Sequence, residues 1–535
     1  MAATRGAITI ARENKFDLGP KLFDEPYSKE LPISLVSEAN VDSRYLGHFF
    51  SHVQQSLHPA CRRFTGGVSQ PLHLRYAMLC LSASSLSMLD TPVQSRVLAA
   101  SERTSVFSPL VNPVHDRNAV MYNDLAVWYL HSAYKGAIHE NAPSILVSYI
   151  LLALYHHAST DHEKFRLAVT DSVKFVIANR GDILNAPGGT DALQMWFRLC
   201  TSHRPSKSPA LLLEGQGVSS SAPNLLPDVT EHLYMSCILG MSTDDLIYDI
   251  LIKTLEIRTK LVVSRCVADC HGVPEQPSDI GILAYETLNT MLGRPCTPEG
   301  YAEARKGFLQ SSHLFELLNV QKERLAVWRS RLRADQLPCN LHCPRETKSK
   351  DVSAPQADQF YTHRDTMNAL YCRLCEITFD GTTEFNASSK PSMPKYCRPI
   401  ENLADSFCEI ASTVNPAISN TSDVYTLSLA ESLLQLVQLY RSDKIFTFIF
   451  DTLWPRLEAT GKGYEHSHYP THLVKRIVGQ IGAYWNDGHT VELTLPAVPE
   501  DIPKYKLLDV DQSISLVVCG HTEDGTSFME KRPLA

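Results

Sequence analysis

The stretch Ser144–His156, SILVSYILLALYH, decides the fold class. Ten of its thirteen residues are apolar, so a helix formed from it has no face that favours water. Such a helix lies deep inside a large helical body. The run is shorter than the roughly 18 apolar residues that a membrane span needs, and no longer run occurs. The sequence therefore predicts a soluble protein without a membrane segment.

Helical periodicity continues on both sides of this stretch. No alternation of strand and helix appears, which argues against a Rossmann or TIM design and predicts one large all-α body. The further helices are predicted over His48–Leu57, Leu72–Leu89, Asp124–Ala137, His162–Ala178, Gly189–Leu199, Leu246–Leu261, Ile280–Leu292, Leu314–Leu332, Thr362–Phe379, Ile400–Val414, a segment ending near Tyr440, Lys444–Trp454 and His472–Tyr484.

Three helix boundaries carry specific signals. Gly181 is expected to end its helix in the left-handed conformation, which costs glycine least. The polar string Ser419–Asp423 offers N-caps for the helix that runs to Tyr440. Pro455 is expected to stop the helix before it, because proline lacks the backbone N–H.

The two ends and one internal stretch depart from the helical pattern. Residues 1–40 contain three prolines and no sustained periodicity, which predicts an extended arm. Residues 202–227 are rich in Gly, Ser, Ala and Pro, typical of a long surface loop within the helical region 41–485. Residues 486–535 form an acidic tail of net charge −5, with short strands expected over Gly488–Val498 and Leu507–Val518, packed on the helices.

Charge and cysteine content narrow the class of protein. The 535 residues carry 50 basic and 58 acidic side chains, and a net charge of −8 does not suit a general nucleic-acid coat. The 14 cysteines are scattered, and the N-terminus lacks the apolar core of a secretion signal. These thiols are therefore expected to be reduced, inside the cytosol or nucleus. Nucleotide-binding and hydrolase motifs are not found either.

The carboxylates Asp244, Asp245 and Asp249 are the most enzyme-like feature. On one helix they could hold Mg²⁺ on a diphosphate, as in all-α terpene synthases, although the companion motif of those enzymes is not found. The alternative is a helix start, in which Ser242 or Thr243 caps and acidic residues favour the positive end of the helix dipole. We prefer the helix start.

Two groups of cysteines have the spacing of zinc ligands. Cys339 and Cys343 could join Cys372 and Cys375 in a tetrathiolate site, and the range Cys266–His271 offers a weaker set. However, structural zinc pairs usually lie on turns, whereas Cys372 and Cys375 fall within a helical pattern. Buried free thiols are the preferred interpretation, so we expect no metal and no cofactor.

A basic stretch, Lys322–Lys350, carries a net charge of +5. It could form a nucleic-acid or nuclear-import surface. Alternatively it is the solvated face of a helix and the loop that follows, and this second interpretation is preferred because the other helix face holds an apolar stripe. No catalytic, cofactor-binding, metal-binding or DNA-binding residue is therefore assigned from the sequence.

The order of several helical strings over residues 41–535 resembles the fungal-specific transcription factor domain, the helical regulatory region of zinc binuclear cluster regulators. The strings that carry the resemblance are Tyr45–Val53, Leu72–Leu89, Trp128–Tyr134, Ile145–Tyr155, Ala178–Gly181, Trp196–Cys200 with Arg204-Pro205, Ile477–Trp485 and Leu507–Gln512. The resemblance implies an all-α fold, a nuclear location and control of transcription, for a metabolic or secondary-metabolite gene set. On physical grounds, a large helical body without its own DNA reader would act by binding other regulators, as a homo- or heterodimer partner, or a small-molecule inducer in an apolar cavity.

The resemblance does not include the DNA reader of that family, a six-cysteine cluster with two zinc ions. The first cysteines here, Cys61 and Cys80, are 19 residues apart, and residues 1–40 contain none. Direct DNA binding by this chain is therefore not expected. A reader encoded upstream of Met1, or carried by a partner, remains open. Beside this reading stand two alternatives, a terpene synthase-type enzyme and an interaction scaffold that does not bind DNA.

Overall fold

A computed structural model describes residues 39–534 with gaps. The gaps are 67–69, 90–92, 97–105, 110–111, 136–137, 159–161, 204–240, 274–276, 333–361, 388–397, 461–470, 498–513 and scattered positions within 294–310 and 417–425. The predicted arm lies outside the described residues apart from its last two positions, which begin the first helix. The predicted loop lies outside them from residue 204 onwards.

Helices form the body of the protein, which confirms the all-α prediction. The longer ones are α1 (Ala39–His48), α4 (Leu72–Leu89), α5 (Pro113–Lys135), α6 (Ile138–Ala158), α7 (His162–Asn185), α8 (Gly189–His203), α9 (Thr243–His271), α10 (Pro277–Leu292), α11 (Ser311–Arg331), α12 (His363–Ala387), α13 (Arg398–Thr413), α14 (Leu429–Leu439) and α17 (Thr471–Asn486). The short ones are α2 (Gln54–Ser56), α3 (Cys61–Thr65), α15 (Asp443–Phe448) and α16 (Trp454–Thr460).

The described helices enclose two large apolar cores, one in each half of the chain. The N-terminal half, residues 39–203, packs around α6, whose apolar residues from Ile145 to Tyr155 are almost all inaccessible to solvent. The C-terminal half, residues 241–534, packs around α9, α12 and α14. Phe197 on α8 contacts both cores. The buried stretch that suggested the fold is thus the centre of one core, where each large side chain contributes roughly 1.5–3 kcal/mol.

Three predicted helix boundaries are wrong. The helix over His162–Asn185 continues past Gly181, which keeps a right-handed conformation, and it kinks instead at Asn179. The N-cap of the helix that ends at Leu439 is Ser428, outside the string Ser419–Asp423, although Ser419 Oγ also accepts the backbone N–H of Leu429 at 3.4 Å. Ser428 forms a complete capping box with Glu431, which satisfies two backbone donors at once.

Pro455 does not stop a helix. It lies at the second position of α16 (Trp454–Thr460), directly after a π-helical segment, Ile449–Leu453. The backbone is helical without a break from Asp443 through the π-helical segment to Thr460, so the backbone donor that proline lacks does not end the helix.

A three-stranded antiparallel sheet follows the last helix. Strand β3 (Thr490–Ala497) pairs with β4 (Ser515–His521), which pairs with β5 (Ser527–Pro533). Strand β3 lies within the predicted strand Gly488–Val498, and β4 overlaps the predicted strand Leu507–Val518 at residues 515–518, whereas residues 507–513 lie outside the described residues and β5 was not predicted. A Cβ atom at Gly520 would lie 2.0 Å from the Thr490 carbonyl oxygen, so the close approach of these two strands requires glycine.

The sheet packs against α9. Leu493 and Val517 join Val263 and Val267 in a separate apolar cluster. The acidic tail is thereby anchored on the C-terminal half. Elsewhere, a small hairpin pairs β1 (Val93–Arg96) with β2 (Val106–Pro109). Among the described residues, none of the helices has the length and apolar character needed to cross a membrane.

Candidate functional site

A cavity of about 270 Å³ lies where the two halves of the chain meet. The N-terminal half contributes the turn Gln55–Pro59 and side chains of α6 and α8. The C-terminal half contributes the first turns of α9 and α12, together with Asp423 and Thr426. The cavity therefore exists only because the two halves are assembled in this arrangement.

His58 and Asp245 join the two halves at this cavity. The His58 Nδ1 atom accepts a hydrogen bond of 3.2 Å from the backbone N–H of Ala60, so Nδ1 carries no proton. The other ring nitrogen, Nε2, therefore donates, and it lies 2.8 Å from Asp245 Oδ2. Both side chains are about nine-tenths buried. This contact fixes the turn after α2 against the start of α9.

Asp245 is held as a carboxylate. Burial alone raises its pKa, but the hydrogen bond from His58, the charge of Arg198 and a hydrogen bond from Ser242 lower that pKa to about 2. Ser242 is also the N-cap of α9, since its Oγ accepts the backbone N–H of Asp245 at 3.1 Å. The expected capping role of Ser242 is thus confirmed.

Arg198 lies beside Asp245 and contacts two residues of α9. Its guanidinium stacks over the ring of Tyr248 at 4.1 Å, a cation–π contact between α8 and α9. The Nη1 atom is 3.4 Å from Asp245 Oδ1, yet it is buried without a hydrogen-bond acceptor among the described residues. Arg198 therefore ties α8 to α9 through an ion pair with Asp245 and a stacking contact with Tyr248.

A second histidine–aspartate pair lines another part of the wall. His363 Nε2 lies 3.0 Å from Asp423 Oδ1, and Ser419 Oγ donates to Asp423 Oδ2 at 2.5 Å. Ser419 therefore serves this pair, and its Oγ also accepts the backbone N–H of Leu429, the first residue of α14, at 3.4 Å. Next to it, Tyr371 donates its hydroxyl hydrogen to the carbonyl of Leu427 at 2.6 Å.

Asp244 is held from the side of α12. Arg364 Nη1 lies 3.1 Å from Asp244 Oδ2, and Asn368 Nδ2 donates to Asp244 Oδ1 at 2.6 Å. The side chain of Arg364 is 46% exposed, so it stands at the open edge of the cavity. The lining also includes apolar side chains of α6, α8 and α12, among them Ile150, Leu154 and Met367.

The three aspartates that suggested a diphosphate site are directed apart. Asp244 and Asp245 line the cavity, whereas Asp249 lies away from it, 3.1 Å from Lys253 and 2.8 Å from Arg324. Each carboxylate is therefore engaged by cations or amide donors of the protein itself. Within the described ranges, no group of three or more His, Cys, Asp or Glu side chains is arranged to hold a metal ion.

The predicted zinc ligands are not brought together in the part of the chain that is described. Cys339 and Cys343 lie outside the described residues. Cys372 and Cys375 are buried within α12, and burial is the main cause that raises the pKa of both thiols. Of the other set, Cys270 is exposed.

Part of the basic stretch faces inwards. Arg324 forms an ion pair with Asp249, and Arg329 with Glu376, so these two arginines stabilise the packing of α11. Lys322 and Arg331 are exposed. Residues 333–350 of the stretch lie outside the described residues. The interpretation as a solvated face therefore holds only for some of its members.

The cavity could not have been found from the sequence. His58 and Asp245 are 187 residues apart, and His363 and Asp423 are 60 apart, with no local pattern that marks them. The one sequence signal that pointed to this region was the string Asp244–Asp249. It identified two of the wall residues, Asp244 and Asp245, but as candidates for a diphosphate site.

Comparison with known proteins gives no relative: no family model, no curated protein and no solved structure matches the chain. The resemblance to the fungal transcription factor domain therefore stays a prediction.

Proposed function

We propose that the chain is a transcription regulator of the fungal type, which acts in the nucleus through its helical body and responds to a small molecule. The gene set it controls would be metabolic or secondary-metabolic. The cavity between the two halves is the observation that carries this proposal. The order of helical strings in the sequence supports the assignment to transcription.

A cavity at such a junction suits a regulatory ligand. A ligand that contacts both walls binds only when the two halves are assembled, so it stabilises that arrangement over any other. Buried polar contacts, above all that of His58 with Asp245, already hold the two halves in one relative arrangement. A surface that changes with the packing of the halves would then report ligand binding to a partner protein.

DNA is reached through a partner in this proposal. The chain is acidic overall, and the described cysteines do not form a zinc cluster. A second regulator that carries a DNA reader, as a homo- or heterodimer partner, would place the helical body at a promoter. Alternatively, a segment encoded upstream of Met1 would carry the DNA reader and contact the promoter.

A tethered reporter tests the proposal. The chain is fused to a heterologous DNA-binding domain in a fungal cell, and transcription of a reporter is measured across carbon and nitrogen sources. We expect a change of at least severalfold relative to the DNA-binding domain alone, together with nuclear accumulation of the untethered chain. Unchanged transcription under all conditions, with the fusion protein present and folded, contradicts the proposal.

The scaffold alternative gives a different pattern. A pure scaffold would capture a DNA-binding partner from nuclear extract, while tethering would leave reporter transcription unchanged. A control substitution, Lys322→Gln, lies on an exposed face away from the cavity and should behave like the unmodified chain in both assays.

A further inference from the structure

We propose that Cys266 and Cys519 form a reversible disulfide that fastens the C-terminal sheet to α9, and that the exposed thiol of Cys270 is where the oxidant enters. This proposal goes beyond the proposed function and does not depend on it, because it concerns a chemical modification of the chain itself. It rests on the contacts among three thiols at the place where α9 meets the sheet.

Cys266 and Cys519 are brought together by the packing of the sheet on α9. Both side chains are inaccessible to solvent and belong to the apolar cluster between α9 and the sheet. The Cys266 thiol donates a weak hydrogen bond of 3.9 Å to the carbonyl of Gly520, which lies 254 residues further along the chain. The Cys519 thiol in turn donates to the Cys266 sulfur. Two thiols in direct contact are the starting arrangement for a disulfide.

The backbone of the sheet keeps this pair of thiols in place. Cys519 lies in β4, the middle strand, and is paired with Leu493 of β3 on one side and with Met529 of β5 on the other. The strand is therefore held from both sides. The two sulfur atoms have to approach from hydrogen-bond distance to about 2 Å, and rotation of the side chains supplies this movement.

Cys270 lies one helical turn beyond Cys266 and is exposed. Residues four positions apart share one face of a helix, so Cys270 is on the same side of α9 as Cys266. Its thiol also contacts the backbone of Met529, the partner of Cys519 across the sheet. Among these three thiols, Cys270 is the one that a dissolved oxidant reaches directly.

Access and acidity are divided between two of the thiols. The hydrogen bond from Cys519 and the charge of Arg265 lower the pKa of Cys266, although burial raises it. Burial raises the pKa of Cys270, and the contact with Cys266 raises the pKa of Cys519 well above its usual range. Because the thiolate is the nucleophilic form of cysteine, Cys266 is the thiol best suited to attack an oxidised Cys270.

A peroxide, such as hydrogen peroxide, supplies the two-electron oxidation. The Cys270 thiolate attacks one peroxide oxygen, the O–O bond breaks, and the departing hydroxide takes up the proton that Cys270 lost. Cys270 is then a sulfenic acid, and one water has formed. The Cys266 thiolate next attacks the Cys270 sulfur and expels hydroxide, which takes up the Cys266 proton as the second water.

The first disulfide, between Cys266 and Cys270, is strained. The Cβ atoms of residues one helical turn apart are separated by about 5–6 Å, whereas a disulfide holds them about 3.5–4.5 Å apart. The Cys519 thiolate therefore attacks the Cys266 sulfur, and Cys270 leaves and takes up the proton that Cys519 lost. In total two thiols are oxidised and one peroxide is reduced to two waters. The final disulfide links α9 to β4 and restricts the unfolded chain between them.

Peptide mapping of the purified full chain tests the proposal. The reduced chain is treated with hydrogen peroxide, the remaining thiols are blocked at successive times, and disulfide-linked peptides are identified by mass spectrometry. We expect a link between Cys266 and Cys519 that dithiothreitol reverses. The oxidised chain should melt several degrees higher than the reduced chain, because the link restricts its unfolded state.

Substitutions separate the roles of the three thiols. Cys519→Ala should abolish the link and the rise in melting temperature. Cys270→Ser should slow formation of the link roughly 10-fold or more, and since this position is exposed, the variant keeps the test valid even if Cys519→Ala unfolds. The matched control is Cys296→Ser, at another exposed cysteine, which should change neither the rate nor the product. Circular dichroism reports the folding of each variant.

Three results overturn the proposal. The first is that Cys266 and Cys519 stay reduced while Cys270 is oxidised to the sulfinic acid. The second is a link that forms as fast in Cys270→Ser as in the unmodified chain. The third is an oxidised chain that melts no higher than the reduced one. None of these measurements involves transcription, so this proposal and the proposed function fail or hold separately.

Discussion

The ring of His58 donates a hydrogen bond from Nε2 to Asp245 Oδ2 across 2.8 Å, and this contact links the two halves of the chain through residues that are 187 positions apart. It lies at the wall of the cavity and is about nine-tenths buried on both sides. The two halves and the cavity therefore depend on the same pair of side chains. Predictions about stability, acidity and binding follow from it.

Asp245→Asn should destabilise the folded chain. The substitution removes a buried carboxylate that receives a hydrogen bond from His58 and faces Arg198, leaving these groups without a charged partner. Loss of such a hydrogen bond typically costs about 1–3 kcal/mol. Urea unfolding measures the change. The matched control is Asp405→Asn, in an exposed pair with Lys444, for which a loss below about 1 kcal/mol is expected. Equal effects of the two substitutions contradict the prediction.

Acid should weaken the contact over a defined pH range. The pKa of Asp245 is about 2 in the folded chain, whereas an aspartate in an unfolded chain has a pKa of about 3.9. As the pH falls, Asp245 is therefore protonated at a higher pH in the unfolded chain than in the folded chain. The stabilisation, on the order of 2 kcal/mol, is complete above about pH 5 and is lost as the pH falls from about 4 through about 2.

Comparison of wild type with Asp245→Asn isolates this contribution. The difference in unfolding free energy between the two proteins, measured by urea titration at each pH, should shrink over the same range. A difference that stays constant from neutral pH to about pH 2 would show that Asp245 is not held as a carboxylate by its neighbours.

Leu151→Ala should be far more costly than an exposed truncation. Leu151 lies in the middle of α6 and is inaccessible to solvent, so its removal leaves a cavity in the N-terminal core. A loss of about 2–5 kcal/mol is expected from such buried truncations. Val114→Ala, at a side chain that is 62% exposed, is the control and should change stability little. Thermal or urea unfolding that ranks the two variants equally contradicts the packing described for α6.

The purified chain should not turn over prenyl diphosphates in the presence of Mg²⁺. Asp244, Asp245 and Asp249 are each engaged by groups of the protein and do not share one cation site. Product analysis after incubation with prenyl diphosphates and Mg²⁺ measures this. Turnover that depends on Mg²⁺ and disappears in Asp245→Ala would establish the enzyme alternative instead.

The purified chain should also bind promoter DNA weakly and without sequence preference. Its net charge is −8, and strong binding to phosphates requires neutralisation by many basic side chains. Mobility-shift or fluorescence anisotropy measurements at several salt concentrations test this. Tight binding to a specific fragment, with a steep dependence on salt, would show that a DNA reader is present in the chain.

The sequence predicted the helices better than their ends. Leu72–Leu89 was predicted with both boundaries as observed, because its apolar run is uninterrupted and tertiary contacts only reinforce it. Gly181 and Pro455 were both wrongly predicted to end a helix. Each residue type permits a helix end, but the surrounding packing decides whether the helix ends there. At Gly181 the helix continues to Asn185. At Pro455 the helical path continues from the π-helical segment Ile449–Leu453 to Thr460.

By itself, the sequence determined that this chain is a large helical protein with a deeply buried central stretch. This is so because burial of the apolar run Ser144–His156 is required in any arrangement. Only the tertiary structure decided where the two halves meet, which places both His58 and Arg198 against Asp245. Such contacts join residues far apart in the chain, and their geometry depends on the packing of whole helices, which no local pattern encodes.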